Sequence, residues 1–449
     1  MNQRIRKVIF WLHLAAGLVA GSVILVMSVT GVLLMYERQI TEWADRGYRS
    51  DPAPDSARLS AEALLARAAA AAPDAAPASL TVQSDPAAPA AVSLGRGRSL
   101  YLDPSTGRVL GEGAPRVRAF FRAVTDWHRW LAAPDEKRDL GRAVTGACNL
   151  AFLVLVLSGL YLWLPRIWTR RQVRNVAWFR RGLSGKARDF NWHNVLGLWA
   201  WLPLVVVVAS GVVISYHWAG DLIFRLVGEE PPAENGPPGA AAAGAGGERR
   251  QGAAGPGGER RRERGAGALA APAGGGAPSF EGLDELWAAA ERQAPGWRTL
   301  TLRLPRPDAG SEAPVAFTIL HGPRGRPDLR AQLTLDRRSA AVVSWEPYAS
   351  QGLGRRLRSW PRWLHTGEAG GIAGQTIAGL ASAAAAVLCW TGWALAWRRF
   401  RRWRRPEATG GLRDGRVASA AAAAPRKSIV SSDDEEEASA PAAARSTGA

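Results

Sequence analysis

Residues 8–35 read VIFWLHLAAGLVAGSVILVMSVTGVLLM, a stretch without a charged side chain. A helix of about 20 apolar residues crosses the hydrocarbon core of a bilayer, which is about 30 Å thick. This stretch is too long for the core of a signal peptide, and no A-x-A cleavage pattern follows it. Similar apolar segments lie at 140–164, 193–216 and 372–397. The sequence therefore predicts an all-α membrane bundle of four transmembrane helices.

The second half of the chain repeats the residue spacing of the first half. The matched positions of spans one and three are His13, Gly17, Thr30 and Gly31 with His193, Gly197, Ser210 and Gly211. Those of spans two and four are Gly141, Gly146 and Gly159 with Gly374, Gly379 and Gly392. Because a unit with two spans returns the chain to its starting side, we expect two parallel repeats related by an axis along the membrane normal.

The two long loops between spans also resemble each other. Each has a helical pattern, SAEALLARAAAAA from Ser60 and FEGLDELWAAAERQAPGW from Phe280, followed by short alternating segments. The alternation ends at LYLDPSTGRVL from Leu100 and LTLDRRSAAVV from Leu333, each with an Asp-containing turn. These patterns predict two small α+β domains outside the membrane. Residues 70–89 are rich in Ala and Pro, and we expect them to be unstructured.

The predicted organisation divides the chain into nine parts. They are span one at 8–36, an outer domain at 50–115, an outer His-bearing helix with span two at 116–165, a basic loop at 166–190, span three at 191–218, a disordered linker at 229–277, a second outer domain at 279–348, an outer His motif with span four at 353–398 and a disordered tail at 406–449.

The distribution of charge predicts the orientation of the spans. The net charge is +18, but Lys and Arg crowd beside apolar segments, which argues against a nucleic-acid partner. Residues 166–188 hold eight Lys or Arg and no Asp or Glu, and the sequence RRFRRWRR follows span four. Positive flanks stay in the cytoplasm. We therefore expect both termini in the cytoplasm, both long loops outside, and the lipid bilayer as a partner.

Four of the six histidines take equivalent places in the two halves. His13 and His193 lie near the predicted cytoplasmic ends of spans one and three, which the repeat axis would bring face to face. His128 (DWHRWL) and His365 (RWLHTGE) precede spans two and four at the outer side. Polar side chains at such depths are costly and usually functional. Gly17 and Gly197, one turn beyond the inner histidines, would leave room for a bound ligand with a large flat ring.

Paired imidazoles on opposite sides of a shared space could hold a flat macrocycle. Two pairs predict two haems stacked across the bilayer, with both axial positions of each iron filled, which suits electron transfer. The same histidines could instead bind another metal, form a proton relay, or make ordinary hydrogen bonds between helices. His217 is a reserve outer ligand or an interfacial residue, and His321 fits a turn.

These motifs resemble the PepSY-associated transmembrane proteins, often called iron-regulated membrane proteins, which include ferric-siderophore reductases. The resemblance covers about residues 4–405. It rests on the early His and Gly of span one, WHRWL before span two, the S-G-L-x-x-W-x-P exit at 158–165 and LHTGE before span four. It implies PepSY modules outside a bacterial inner membrane, two b-type haems on His13, His193, His128 and His365, and reduction of periplasmic ferric chelates.

Less specific sequence features predict the electron donor and the docking surface. No G-x-G-x-x-G motif follows a predicted strand, so we expect a quinol or a separate protein as donor. The predicted docking floor for the acceptor, which interfacial anchoring would equally explain, consists of Trp127, Trp130, Trp360 and Trp363.

Two other classes of function also fit the sequence. PepSY modules resemble propeptide segments of secreted metallopeptidases, so the helices could anchor modules that regulate a peptidase without redox activity. A transporter with parallel repeats is the third hypothesis. It is disfavoured because no acidic residue lies inside the spans.

Overall fold

The computed structural model describes residues 3–50, 57–95, 98–164, 169–232, 279–305 and 312–404. The helices are α1 (Gln3–Leu34), α2 (Glu37–Ala44), α3 (Ala61–Ala71), α4 (Pro115–Trp130), α5 (Arg138–Trp163), α6 (Arg170–Ala177), α7 (Gly185–Ser215), α8 (His217–Leu226), α9 (Leu283–Gln293), α10 (Leu353–Arg358), α11 (Pro361–His365) and α12 (Gly371–Trp403). The predicted tail at 406–449, and the predicted linker apart from residues 229–232, lie outside the described residues.

Four helical segments are long and apolar enough to cross a membrane, which confirms the predicted spans. They contain α1, α5, α7 and α12. Helix α5 packs against both α1 and α7. A buried cluster joins α5, α7 and α12 through Val156, Leu204 and Ala385. Helix α12 also reaches α1, where the Gln375 amide donates a hydrogen bond of 2.7 Å to the Met35 carbonyl. The spans thus follow one another around a four-helix bundle.

Helix α7 begins at Gly185, six residues before the predicted start of span three at residue 191. Its first turns carry a polar residue that forms hydrogen bonds with the basic loop. The Asn191 side chain accepts a hydrogen bond from the Arg180 amide and donates to the Asn175 and Trp178 carbonyls. An apolar pattern does not indicate this helical extension, because its buried side chains, Asp189 and Asn191, are polar.

The last turns of α12 belong to a second compact unit that begins at Trp397. Within it, the ring of Phe400 lies 6.1 Å from that of Trp397 and 6.3 Å from that of Trp403.

The strands of the two long loops form one antiparallel sheet of eight strands. They are β1 (Ser79–Gln83), β2 (Ala90–Ser93), β3 (Ser99–Leu102), β4 (Val109–Gly111), β5 (Thr299–Arg303), β6 (Val315–Leu320), β7 (Arg330–Leu335) and β8 (Val342–Pro347). Their order is β4-β3-β2-β1-β5-β6-β7-β8. The sequence indicated two separate small domains and did not indicate the pairing of β1 with β5, in which Thr81 lies opposite Thr301.

One core lies between α3, α9 and one face of this sheet. Its largest fully buried side chains are Leu64, Leu65, Leu80, Leu102, Leu283, Leu286, Leu300, Leu302, Phe317, Ile319 and Leu333. The two helices also cap each other, since the Glu62 amide donates to the Asp284 carboxylate at 2.9 Å and the Asp284 amide donates to the Glu62 carboxylate at 3.3 Å. The two loops therefore share one hydrophobic core.

The expectation that residues 70–89 are unstructured was wrong. Strand β1 runs through them, with Leu80 and Val82 buried and the intervening Thr81 on the other face. The surrounding Ala and Pro residues hid a short alternating segment. This segment becomes a strand because both of its edges are paired, with β2 and with β5.

The predicted Asp-containing turns are present after β3 and β7. The carboxylate of Asp103 accepts hydrogen bonds from the Ser105 and Thr106 amides, both at 2.9 Å. The carboxylate of Asp336 accepts hydrogen bonds from the Arg338 and Ser339 amides at 3.1 and 2.9 Å. Such side chains satisfy the backbone donors of a tight turn.

The opposite, polar face of the sheet is tied to the helices that precede spans two and four. The Arg118 guanidinium of α4 donates to the Tyr101 hydroxyl of β3 at 2.8 Å. The Arg355 guanidinium of α10 pairs with the Glu346 carboxylate of β8 at 3.0 Å. Each of these arginines stands ten residues before an outer histidine, His128 or His365. These contacts fix the sheet against α4, which carries His128, and against α10, which precedes the helix of His365.

We expect Leu302→Ala to destabilise both halves of the sheet, because Leu302 is fully buried in the shared core. Removing a buried leucine side chain costs about 2–5 kcal/mol. The matched control is Thr318→Ala on the polar face of β6. Hydrogen exchange in the detergent-purified protein should rise in β1 and β2 as well as in β5 and β6. Exchange that rises in the second loop alone would show that the two loops unfold independently.

Candidate functional site

The inner histidines lie on α1 and α7, and each contacts a hydroxyl of a neighbouring span. The Nδ1 atom of His13 lies 2.8 Å from Ser158 Oγ on α5, and that of His193 lies 2.9 Å from Thr391 Oγ1 on α12. The Ser158 and Thr391 hydroxyls themselves donate to carbonyls four residues earlier in their helices, at 2.6 and 2.8 Å. Each hydroxyl oxygen is therefore left to accept a hydrogen bond from Nδ1–H.

The outer histidines lie on the short helices before spans two and four. The Nδ1 atom of His128, on α4, lies 2.9 Å from Thr30 Oγ1 on α1, and this hydroxyl donates to the Val26 carbonyl at 2.7 Å. The Nδ1 atom of His365, on α11, donates to the Val207 carbonyl of α7 at 2.8 Å. All four histidines thus hold their Nδ1–H groups on helix acceptors and keep the Nε2 lone pairs for another partner.

The histidines come together in the predicted pairs. The rings of His128 and His365 have centres 6.2 Å apart, with an angle of 57° between their planes. His13 and His193 are close enough to interact electrostatically. All four side chains are half-buried. In the described ranges no group of three or more His, Cys, Asp or Glu residues forms a metal site. A pair supplies too few ligands for a metal ion held by protein alone.

Each paired histidine faces a glycine of a neighbouring span. A Cβ atom at Gly159, Gly392 or Gly31 would lie 3.5, 3.6 or 3.5 Å from the Cε1 atom of His13, His193 or His128 respectively. A Cβ atom at Gly211 would lie 3.2 Å from His365 Cε1 and 3.0 Å from the Asn149 amide nitrogen. These four glycines allow each imidazole to lie directly on a helix backbone.

Gly17 and Gly197, which the sequence predicts to leave room for a macrocycle, face leucine side chains of neighbouring spans. A Cβ atom there would meet Leu155 or Leu388, at 3.9 and 3.8 Å, and not a histidine. The reason is geometric, because α1 and α5 run in opposite directions. One turn beyond His13 on α1 corresponds to one turn before Gly159 on α5, where Leu155 stands. Both glycines therefore contribute to packing between spans.

A dipeptide pattern in the sequence could have identified most of these contacts. Every span carries a hydroxyl residue followed by glycine: Thr30-Gly31, Ser158-Gly159, Ser210-Gly211 and Thr391-Gly392. Each glycine faces one histidine, and three of the four hydroxyls contact that histidine. The exception is Ser210, which donates to the Val206 carbonyl at 2.6 Å, while His365 reaches the Val207 carbonyl. Sequence analysis recognised the repeated glycines and matched Thr30 with Ser210, but it did not connect any of the hydroxyl residues with a histidine.

The remaining histidines lie apart from these contacts. His217 is the exposed first residue of α8. His321 is exposed in the bend after β6, where its amide donates to the Leu329 carbonyl. This placement agrees with the prediction of a turn residue for His321.

The four tryptophans of the predicted docking floor have different environments. Trp127 is 50% exposed, whereas Trp363 is 8% exposed. The Trp130 ring lies 4.6 Å from the guanidinium groups of both Arg129 and Arg138. The Trp360 indole donates to the Tyr348 hydroxyl at 2.9 Å. Of these four, only Trp127 offers a largely open aromatic surface.

The fold and the paired histidines define a four-span membrane protein with an α+β domain built from its two long loops. The chain belongs to the family described as the PepSY-associated TM region, whose model matches residues 10–399. This match confirms the family resemblance predicted from the sequence. No curated protein matches the chain.

Proposed function

We propose that this protein is a haem b protein of the bacterial inner membrane that transfers electrons to a periplasmic acceptor, most simply the iron of a ferric siderophore. The observation that carries the proposal is the pairing of His128 with His365, with both Nδ1 atoms held on transmembrane helices. Haem b supplies one-electron redox chemistry when it is bound. The residues His13 and His193 would hold the inner group, and His128 and His365 the outer one.

The spacing of the outer pair fits axial ligation of one iron. A metal–imidazole bond is about 2.0–2.1 Å, and the ring centre lies about 1.1 Å beyond the nitrogen. Two imidazoles on opposite sides of one iron therefore have centres about 6 Å apart. The observed separation is 6.2 Å. The hydrogen bonds to Nδ1 fix the tautomer and orient the ring, as outer partners of ligating histidines commonly do.

Two histidines on each iron would favour electron transfer over chemistry at the metal. If both histidines of a pair held one iron, they would leave no position on it for a gas or a substrate. The acceptor would then receive electrons at the outer edge of the site. Ferrous iron is held more weakly than ferric iron by hard oxygen chelators, so reduction would loosen iron from its carrier. A quinol or a separate protein would donate the electrons.

Internal duplication and orientation form part of this proposal. Equivalent positions make equivalent contacts, since His13 meets Ser158 on one side of the bundle and His193 meets Thr391 on the other. The basic loop after α5 exposes Arg170, Arg171 and Arg174, which favours a cytoplasmic position for it. The shared sheet, composed of two PepSY-like modules, would then lie in the periplasm with both chain termini inside.

The absorption spectrum of the detergent-purified protein tests this function. Oxidised and dithionite-reduced spectra should show sharp low-spin b-type bands, and a pyridine haemochrome assay should give about two haems per chain. The reduced protein should reoxidise on addition of a ferric siderophore. A colourless protein, after expression with adequate haem, would exclude the electron-transfer function. That result would favour the alternative, a membrane-anchored PepSY module that regulates a periplasmic peptidase.

A further inference from the structure

Two arginines lie over Trp363, just before His365 in the sequence, and two more stand nearby on the sheet. The guanidinium groups of Arg324 and Arg362 lie 5.9 and 5.6 Å from the centre of the Trp363 ring. Arg330 opens β7, and its charge interacts with those of Arg303 and Arg362. We call Arg303, Arg324, Arg330 and Arg362 the arginine cluster.

The arginine cluster lies on the polar side of the sheet. In β5 and β7 the buried positions are Leu302 and Leu333, so the alternation places Arg303 and Arg330 on the opposite face. This is the face that Tyr101 and Glu346 tie to α4 and α10. Arg303 and Arg330 therefore project from the face of the sheet that contacts α4, which carries His128, and α10, which precedes the helix of His365.

Three members of the cluster have no carboxylate partner in the part of the chain that the structure describes. Within the described ranges, Arg303, Arg324 and Arg330 make no ion pair with a carboxylate. The Nε atom of Arg330 is buried without a hydrogen-bond partner. Burial lowers the pKa of Arg330, and the charges of Arg303 and Arg362 lower it further. One carboxylate, that of Glu368, lies beneath the loop that holds Arg324, and its Oε2 atom is also without a partner.

We propose that the arginine cluster binds a ligand that carries carboxylates. Guanidinium groups bind carboxylates through paired, charge-assisted hydrogen bonds, and they tolerate partial burial better than ammonium groups. Like charges that lie close together repel one another, and a bound anion would reduce this repulsion. Arg362 stands three residues before His365, or about 4.5 Å along a helix. This step rests on the proposed function, because the position of Arg362 then places the ligand beside the group held by His128 and His365.

Two sources offer the same carboxylate chemistry. One is an acidic ferric chelate from outside, and the other is the carboxylate groups of the haem. Gallium(III) citrate distinguishes them, because it resembles ferric citrate in charge and shape but is not reduced by biological donors. Its binding to the full-length protein is measured by equilibrium dialysis. Haem content and the midpoint potential of the outer haem are measured on the same samples.

The test compares Arg330→Gln and Arg303→Gln with Arg326→Gln. Arg326 lies in the same loop region as Arg324 and is exposed like it, but it pairs with Asp328 at 2.6 Å, so it serves as the matched control. For an external ligand, we expect each cluster variant to bind gallium citrate about tenfold more weakly or worse. The control should bind it like the unmodified protein. Arg303 is exposed, so its variant tests the site even if Arg330→Gln folds poorly.

The outcomes separate this site from the proposed function. If the cluster holds haem carboxylates, both variants lose haem or shift its midpoint potential while gallium citrate binding is unchanged. Unchanged gallium citrate binding together with unchanged haem content and potential would overturn the proposal. A colourless protein that binds gallium citrate through Arg330 would support this site while excluding the haem function.

Discussion

His365→Ala should leave the purified protein with about one haem per chain where the unmodified protein has about two. His365 supplies one side of the outer pair, and its Nδ1 atom is fixed on the Val207 carbonyl. Without the imidazole, His128 alone provides a single axial ligand, and the outer haem is lost. Ferric-siderophore reduction should fall to the uncatalysed background, because the remaining haem lies at the inner side. Pyridine haemochrome counts and stopped-flow reoxidation measure both effects.

The matched controls are His217→Ala and His321→Ala, because both histidines are exposed and stand outside the pairs. Each should retain two haems and normal reoxidation. His193→Ala should remove the other haem while the low-spin bands of the outer one remain. Full haem content in both His365→Ala and His193→Ala would refute the ligand assignment. A loss of haem in His217→Ala would instead make that residue an outer ligand.

Gly211→Leu should displace His365 and remove the outer haem without unfolding the bundle. Even a Cβ atom at this position would lie 3.2 Å from His365 Cε1 and 3.0 Å from the Asn149 amide nitrogen, so a larger side chain cannot fit. Overpacking of this kind costs about 1–3 kcal/mol, which the ring can avoid by swinging away. We expect about one haem per chain, with an unchanged elution volume in size-exclusion chromatography and unchanged helical circular dichroism.

Alanine substitutions at three glycines give a graded control for this prediction. Gly211→Ala should perturb the outer haem spectrum because its contacts are tight. Gly159→Ala should do less to the inner haem, because its Cβ atom would lie at an ordinary 3.5 Å from His13 Cε1. Gly17→Ala should be silent, since its Cβ atom would meet only Leu155 at 3.9 Å. Equal effects at all three positions would show that the spectrum reports general helix packing and not contact with histidine.

The spans and the histidine pairs were predictable because each depends on a strong local signal. Apolar length gives α1, α5, α7 and α12, and the repeated His and Gly spacing identifies His13 with His193 and His128 with His365. The family follows from the same motifs. These features can be recognised in a single sequence because they depend on the composition of each element and on residue spacing within it.

The joined sheet and the histidine partners were not predictable in the same way. The segment around Leu80 looks like a short alternating strand in an Ala/Pro background, and nothing in it specifies β5 as a neighbour. The partner of His365 is the Val207 carbonyl. Every residue has a backbone carbonyl, so the sequence does not indicate which one accepts the hydrogen bond. The arginine cluster joins Arg303, Arg330 and Arg362 from β5, β7 and α11, which come together only in the folded chain.

The pairing of β1 with β5 has a consequence for how the protein is made. Thr81 and Thr301, whose hydroxyls meet at 3.1 Å across that pairing, are 220 residues apart. At a synthesis rate of about 5–20 residues per second, β1 waits about 10–40 s for its neighbour, while α5 and α7 are inserted into the bilayer. During that interval the first half of the sheet has an open strand edge, which is a template for pairing with another chain. Biogenesis of this protein therefore depends on protecting one edge until the second loop has been synthesised.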